Sequence, residues 1–86
     1  MSPTLAPLTL SQVDDLIYRV LTASGAHVGN LKWINGVWKL KAIGYDTDGS
    51  VIPGGGPLTE RHNTHFLTLD LALINGRLAP DLGILK

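Results

Sequence analysis

VGNLKWINGVWKLKAIGY, residues 28–45, is the stretch whose reading decides the fold. Asn35-Gly36 stands between two apolar runs, and both central residues of a type I′ turn need φ > 0, which Asn and Gly tolerate. A two-residue loop predicts a β-hairpin in which Ile34 faces Val37, Trp33 faces Trp38, Lys32 faces Lys39 and Leu31 faces Leu40. Side chains alternate across a strand, so this register sorts them into two faces. One carries Leu31, Trp33, Trp38, Leu40 and Ala42; the other carries Lys32, Lys39 and Lys41, spaced by Val28, Ile34, Val37 and Ile43. The first is a core face, and a Trp33–Trp38 cross-strand pair stabilises a sheet by roughly 0.2–1 kcal/mol. Slipping the register by one residue would exchange the faces.

The lysine face is the less ordinary of the two. Residues 28–45 hold three of the four lysines and no acid. Lys32 opposite Lys39 sets like charges across a pair, which is unfavourable unless an anion or a nearby acid offsets it. A plain outer face accounts for the lysines if they deter edge pairing and lay their stems over Ile34 and Val37. The alternative is an anion-binding surface for phosphate, nucleic acid or an acidic partner.

Composition bounds what such a surface serves. Eighty-six residues make one small domain. Hydrophobic content is 44% against 16% charged. That apolar load predicts a homo-oligomer, with a dimer favoured, covering an exposed face. Seven Lys and Arg balance seven Asp and Glu. A neutral chain is not the usual nucleic-acid binder, although a local basic patch remains compatible with one. The absence of cysteine removes disulfides, thiolate metal sites and cysteine nucleophiles, and it fits a reducing compartment. No apolar run approaches the ~18 residues of a membrane span, and no signal peptide opens the chain, so the expectation is cytoplasmic.

Upstream of the hairpin, residues 1–8, with Pro3 and Pro7, read as an extended, frayed lead-in. Thr9-Leu-Ser-Gln12 then matches a capping box. Leu10, Val13, Leu16, Ile17, Val20 and Leu21 follow at helical spacing, with Asp14 and Asp15 near the positive end of the dipole and Gly25 placed to end the helix. The fold class expected is therefore α+β: an N-terminal amphipathic helix packed on one face of a small antiparallel sheet of three to five strands.

Downstream, Asp46-Thr-Asp-Gly49-Ser50 has the aspartates of a calcium loop without its spacing. Counted from Asp46, positions 6 and 12 are Val51 and Pro57, where an EF-hand needs Gly and Glu. A tight turn explains the segment, and Val51-Ile52 makes a short third strand. Pro53-Gly-Gly-Gly-Pro57 marks the sharpest discontinuity, because three glycines are costly to order without a need for unusual dihedrals or close approach. Gly54, Gly55 and Gly56 are candidate ligand-binding residues beside Lys32, Lys39 and Lys41, although the loop lacks the spacing and lysine of a P-loop. With residues 58–65 it forms a connection of a length that is commonly functional or disordered, with room for a helical turn from Thr59.

Leu67, Leu69, Leu71 and Leu73 alternate with Thr68, Asp70, Ala72 and Ile74, the pattern of a strand over residues 66–74. Leu and Ala also suit a helix, and Asn75-Gly76 serves either as a helix cap or as a turn. The echo of Trp33-Ile-Asn-Gly-Val-Trp38 in Leu73-Ile-Asn-Gly-Arg-Leu78 favours a second hairpin, returning over residues 77–79 until Pro80 stops it. Residues 81–86 form an apolar tail.

Glu60-Arg61-His62-Asn63-Thr64-His65 is the one cluster dense in catalytic groups. Histidine is the residue type that can divide acid and base roles near neutral pH, which makes His62 and His65 candidates; Arg61 suits a phosphate, and Glu60 adds a carboxylate. With the lysine face they would compose a metal-independent, ribonuclease-like site. Metal ligation by His62 and His65 with Glu60 or Asp70 needs a helical turn, since a strand points them apart. Turn and capping hydrogen bonds account for the same residues without chemistry. The function expected is a small non-enzymatic binding protein engaging an anionic or protein partner, with the ribonuclease-like hydrolase as the alternative, and no metal or cofactor. Binding predicts that Lys39→Glu weakens partner capture while His62→Ala does not.

Overall fold

A computed structural model describes residues 7–78. The hairpin is its centre. Strands β3 (His27–Ile34) and β4 (Val37–Tyr45) pair antiparallel with Ile34 opposite Val37, Trp33 opposite Trp38, Lys32 opposite Lys39 and Leu31 opposite Leu40. Asn35 and Gly36 take φ of 52° and 83°, as a type I′ turn requires. The Trp33 and Trp38 rings meet edge-on with centroids 5.3 Å apart, and Tyr18 adds a second edge contact to Trp38 at 5.5 Å.

The N-terminal helix expected over Thr9–Gly25 is not there; the segment is a second hairpin. Strand β1 (Thr9–Asp14) pairs with β2 (Ile17–Leu21), and β2 pairs with β3. Apolar spacing in this segment serves either structure, and two local features decide for strands. Thr9, Val13, Ile17, Tyr18, Val20 and Thr22 are β-branched or aromatic, which suits a pleated surface better than a helix. Asp14 and Asp15 then make the turn: the Asp14 carboxylate accepts the Leu16 N–H at 2.8 Å. A bulge at Val13 brings Asp14 opposite Ile17. Gly25 is left-handed as expected, but it closes the β2–β3 connection, donating to the Thr22 carbonyl at 2.9 Å.

Strand β5 (Val51–Pro53) follows the turn at Asp46–Ser50 and pairs with the far end of β4. In that turn the Ser50 N–H donates to the Asp48 carboxylate at 2.9 Å, and chiefly this bond holds the Asp48 pKa below the usual carboxylate range. A 3₁₀ turn (Thr59–Arg61) and strand β6 (His65–Phe66) come next, with β6 on the same edge of β4 nearer the hairpin tip. Among the described residues the sheet has six antiparallel strands in the order β1-β2-β3-β4-β5, with β6 also on β4.

Of the strand expected over residues 66–74 only Phe66, the end of β6, is strand, and Asn75-Gly76 makes no second turn. Helix α1 (Leu71–Leu78) takes up the end of that stretch and the expected return of residues 77–79 as far as Leu78. Asp70 supplies what the alternation hides: its carboxylate accepts the Leu73 N–H at 3.1 Å while its carbonyl accepts the Ile74 N–H. Once that cap forms, Leu and Ala favour helix continuation. Asn75, inside the helix, both accepts from the Leu8 N–H and donates to the Leu8 carbonyl, clamping the lead-in as a neighbouring strand would. Ala79, Pro80, residues 81–86 and the first six residues of the expected lead-in lie outside the described residues.

One core gathers Val20, Leu31, Leu40, Ala42 and Phe66 from the sheet, Leu8 from the lead-in, Leu58 from the loop and Ile74 and Leu78 from α1. Val28 belongs to this core and not to the lysine face. A bulge between Val20 and Leu21 skips Val28 in the β2 pairing, so Val28 turns inward and is 3% exposed.

Candidate functional site

The register builds the opposite face of the sheet in rows. Arg19 stands opposite Asn30, which stands opposite Lys41; Ile17 stands opposite Lys32, then Lys39, then His65. Lys32 and Lys41 are diagonal neighbours on adjacent strands, a separation of about 7–8 Å. Among the described residues the only acid in these rows is Asp14, at the far end beyond Ile17, where its carboxylate already accepts from Leu16. Arg19 joins the basic set only because β2 is a strand; on a helix it belonged to an unrelated polar face.

Beside the rows the surface sinks into a cleft of about 450 Å³. Its polar side chains are Asn30, Lys32, Lys41 and His62, and its apolar wall is Ile43, Val51 and Pro53, with Gly54 at the rim. Strand β5 and the loop after it raise this wall, so the cleft depends on how residues 54–64 are fastened to β4. They are fastened closely. Gly54 N–H donates to the Ala42 carbonyl at 2.7 Å, Asn63 N–H to the Leu40 carbonyl at 2.7 Å, and Leu40 N–H to the Thr64 carbonyl at 2.8 Å. Between these bonds the Ala42 N–H has no strand opposite it and donates instead to His62 Nδ1 at 3.0 Å. An imidazole thus takes the place of a backbone carbonyl. That bond requires Nδ1 to be unprotonated, which in the neutral ring leaves the hydrogen on Nε2.

Two glycines, Gly56 in the loop and Gly44 on β4, serve this fastening. A Cβ on Gly56 would lie 2.1 Å from the Ile43 carbonyl oxygen, and one on Gly44 would lie 2.7 Å from the Gly56 nitrogen. The loop backbone reaches the β4 backbone only because neither residue has a side chain. Gly55 packs on Ile52 and does not line the cleft; Gly54 does, with its Cβ position 3.6 Å from His62 Nε2. Leu58, 2% exposed, anchors the far side of the loop in the core.

The remaining candidates disperse. Lys39 lies outside the cleft, in the row with Lys32 and His65. Lys41 Nζ donates to the Asn63 carboxamide oxygen at 2.7 Å, which leaves two of its three donor hydrogens for the cleft. Glu60 is exposed and Arg61 half-buried on the 3₁₀ turn, and neither lines the cleft. His65 is exposed beside Lys39, and its backbone carbonyl accepts from Arg77, whose guanidinium lies 5.1 Å from the Phe66 ring centroid. Among the described residues, no group of three His, Asp or Glu side chains is placed to hold a metal ion.

Sequence reasoning passed over a chain of side chains bordering the cleft. Tyr45 Oη and His27 Nδ1 are 3.0 Å apart, and His27 Nε2 and Asn30 Oδ1 2.9 Å. Only the bulge at Val28, which turns His27 onto this face, would have disclosed it. Among the described residues no helix is long and apolar enough to cross a membrane. No family model, curated protein or solved structure matches the chain.

Proposed function

We propose that this chain is a small, non-enzymatic binding protein that captures an extended anionic partner on its lysine face and acts as a homo-oligomer, a dimer first. The observation that carries the proposal is the register: it sets Arg19, Lys32, Lys39 and Lys41 in two adjacent rows with Asp14 at their margin. Adjacent rows lie about 6.8 Å apart along a strand, and neighbouring strands about 4.8 Å apart. An acidic segment in extended conformation repeats its alternate side chains at the same ~6.8 Å, so laid along β4 it would meet Lys39 and Lys41 with successive carboxylates. Exposed apolar side chains, among them Trp33 at 41% and Leu67 at 79%, support association between copies.

The test uses a fluorescein-labelled oligoglutamate peptide and anisotropy. The wild-type protein is expected to bind it with an affinity that falls as salt rises, and Lys39→Glu is expected to weaken capture about tenfold or more, the equivalent of ~1.4 kcal/mol. Equal affinity of wild type and Lys39→Glu would overturn the proposal, as would cleavage of RNA by the wild-type protein lost in His65→Ala. Sedimentation velocity tests the oligomer; a monomer at every accessible concentration would exclude it.

A further inference from the structure

We infer that the cleft beside Lys41 is a binding site for a phosphomonoester with a flat apolar body; the inference rests on the anion-binding face and narrows it to one ligand class. Its basis is the polarity of the lining. Lys32 and Lys41 present ammonium groups. His62 presents an Nε2–H, because Nδ1 is occupied as acceptor of the Ala42 N–H. Asn30 has its carboxamide oxygen drawn toward His27, which leaves the amino group as the end available to the cleft. All four polar side chains therefore offer donors, and among the described residues no carboxylate lines the space. A ligand head that only accepts hydrogen bonds matches such a site best: a cation is repelled, and a hydroxyl can accept here but brings an O–H for which these four side chains hold no acceptor.

Charge and shape narrow the class. Two lysines about 7–8 Å apart on the diagonal can both reach one phosphate placed between them. A phosphomonoester dianion neutralises both, and a single carboxylate leaves one uncompensated. Lysine, a compact point charge with rotatable donors, suits the tetrahedral phosphate better than the planar carboxylate, which favours the fork of arginine. Ile43, next to Lys41 on the same face of β4, forms the apolar part of the lining with Val51 and Pro53 of β5. A polyhydroxylated body would leave its hydroxyls unpaired against that wall, and an aryl group or a nucleobase would not. The volume of about 450 Å³ is within the range of sites that enclose small ligands.

The experiment titrates the full chain with phenyl phosphate, inorganic phosphate and benzoate, following backbone amides by NMR. Phenyl phosphate is expected to saturate with Kd below about 1 mM and at least tenfold more tightly than either of the others, with the largest shifts at Ala42, Gly54 and His62. Lys41→Ala and Lys32→Ala are each expected to weaken phenyl phosphate about tenfold while their spectra remain those of the folded protein. Val51→Asp is expected to weaken phenyl phosphate more than inorganic phosphate. Failure of phenyl phosphate to saturate, equal affinity for phenyl and inorganic phosphate, or indifference to both lysine substitutions would each overturn the inference. Adenosine and thymidine monophosphates then separate a nucleotide from a simple aryl phosphate, both being phosphomonoesters of the class. Because Lys39 lies outside the cleft, loss of oligoglutamate capture in Lys39→Glu with no phenyl phosphate binding would defeat the cleft alone. Saturable phenyl phosphate with Lys39-independent oligoglutamate capture would defeat only the extended face.

Discussion

Replacing His62 by leucine tests whether an imidazole does the work of a missing strand carbonyl. Ala42 is 1% exposed, and its N–H has His62 Nδ1 as acceptor at 3.0 Å. Leucine approximates the volume of the ring and keeps contact with Gly54, but it offers no acceptor, and water has little access to the orphaned N–H. An unsatisfied buried donor costs about 1–3 kcal/mol. At about 2 kcal/mol, and about 4–8 °C per kcal/mol for a domain of this size, the midpoint of thermal unfolding should fall by about 8–16 °C. His62→Asn is the informative control, since its carboxamide oxygen can stand where Nδ1 stands; it should recover at least half of the loss. Thermal and urea unfolding at one pH give the stabilities, and hydrogen exchange at the Ala42 amide gives the local cause. If His62→Leu is as stable as the wild type, or if leucine and asparagine variants are equally destabilised with equal Ala42 exchange, the imidazole is not the partner that matters.

Two further substitutions test the fastening elsewhere. Gly56→Ala puts a methyl 2.1 Å from the Ile43 carbonyl at φ +80°, whereas Gly36→Ala at φ +83° meets nothing within 4 Å. Urea unfolding should therefore show about 1–2 kcal/mol lost at Gly36, the left-handed backbone penalty alone, and clearly more at Gly56, where β5 and the loop must also separate from β4. Equal losses would mean that the close approach is not real. Asn75→Leu removes both side-chain bonds to the Leu8 backbone, where Leu8 itself is fully buried. A loss of about 2–4 kcal/mol is expected by thermal unfolding, for two unmet backbone groups, and a loss under ~0.5 kcal/mol would show that Leu8 is held by packing alone.

The sequence made the central hairpin legible because Asn35-Gly36 fixes both the turn and the register, and every pair from Leu31–Leu40 to Ile34–Val37 follows from it. Residues 9–25 misled for a physical reason. Leu10, Val13, Ile17 and Val20 lie at spacings that a helix would use, yet in the hairpin Leu10 and Val20 face each other and the bulge takes up Val13. Periodicity cannot see a bulge, because one inserted residue shifts the phase of alternation within a strand. The same blindness moved Val28 to the wrong face and hid His27. At residues 66–78 the error ran the other way: four alternating leucines suggested a strand, and the cap from Asp70 decided for helix. The lysines of the candidate site were readable because they sit on the one strand pair whose register was fixed. Arg19 was not, because it joins the lysines only when residues 17–21 form a strand paired with β3.

Gly54–His65 changes most in meaning when sequence and structure are set together. A dozen residues with three glycines suggested either mobility or a ligand cradle. In the fold, Gly54, Asn63 and Thr64 bond the backbone of β4 directly, and His62 fills the gap between them. The glycines at 44 and 56 exist for the contact of two backbones, so the cost of ordering them is met by the sheet and not by a ligand. This bears on binding. A loop already ordered by the fold has no conformational entropy to lose when a ligand arrives, so the donors on Lys41 and His62 need only accept an anion into place. It also makes His62 a poor residue for separating stability from binding, since one nitrogen holds the edge of β4 and the other faces the cleft. Lys41 is the better probe: its ammonium is placed by Asn63, and the hydrogen bond between them is exposed, so its removal should cost the fold little and the ligand much.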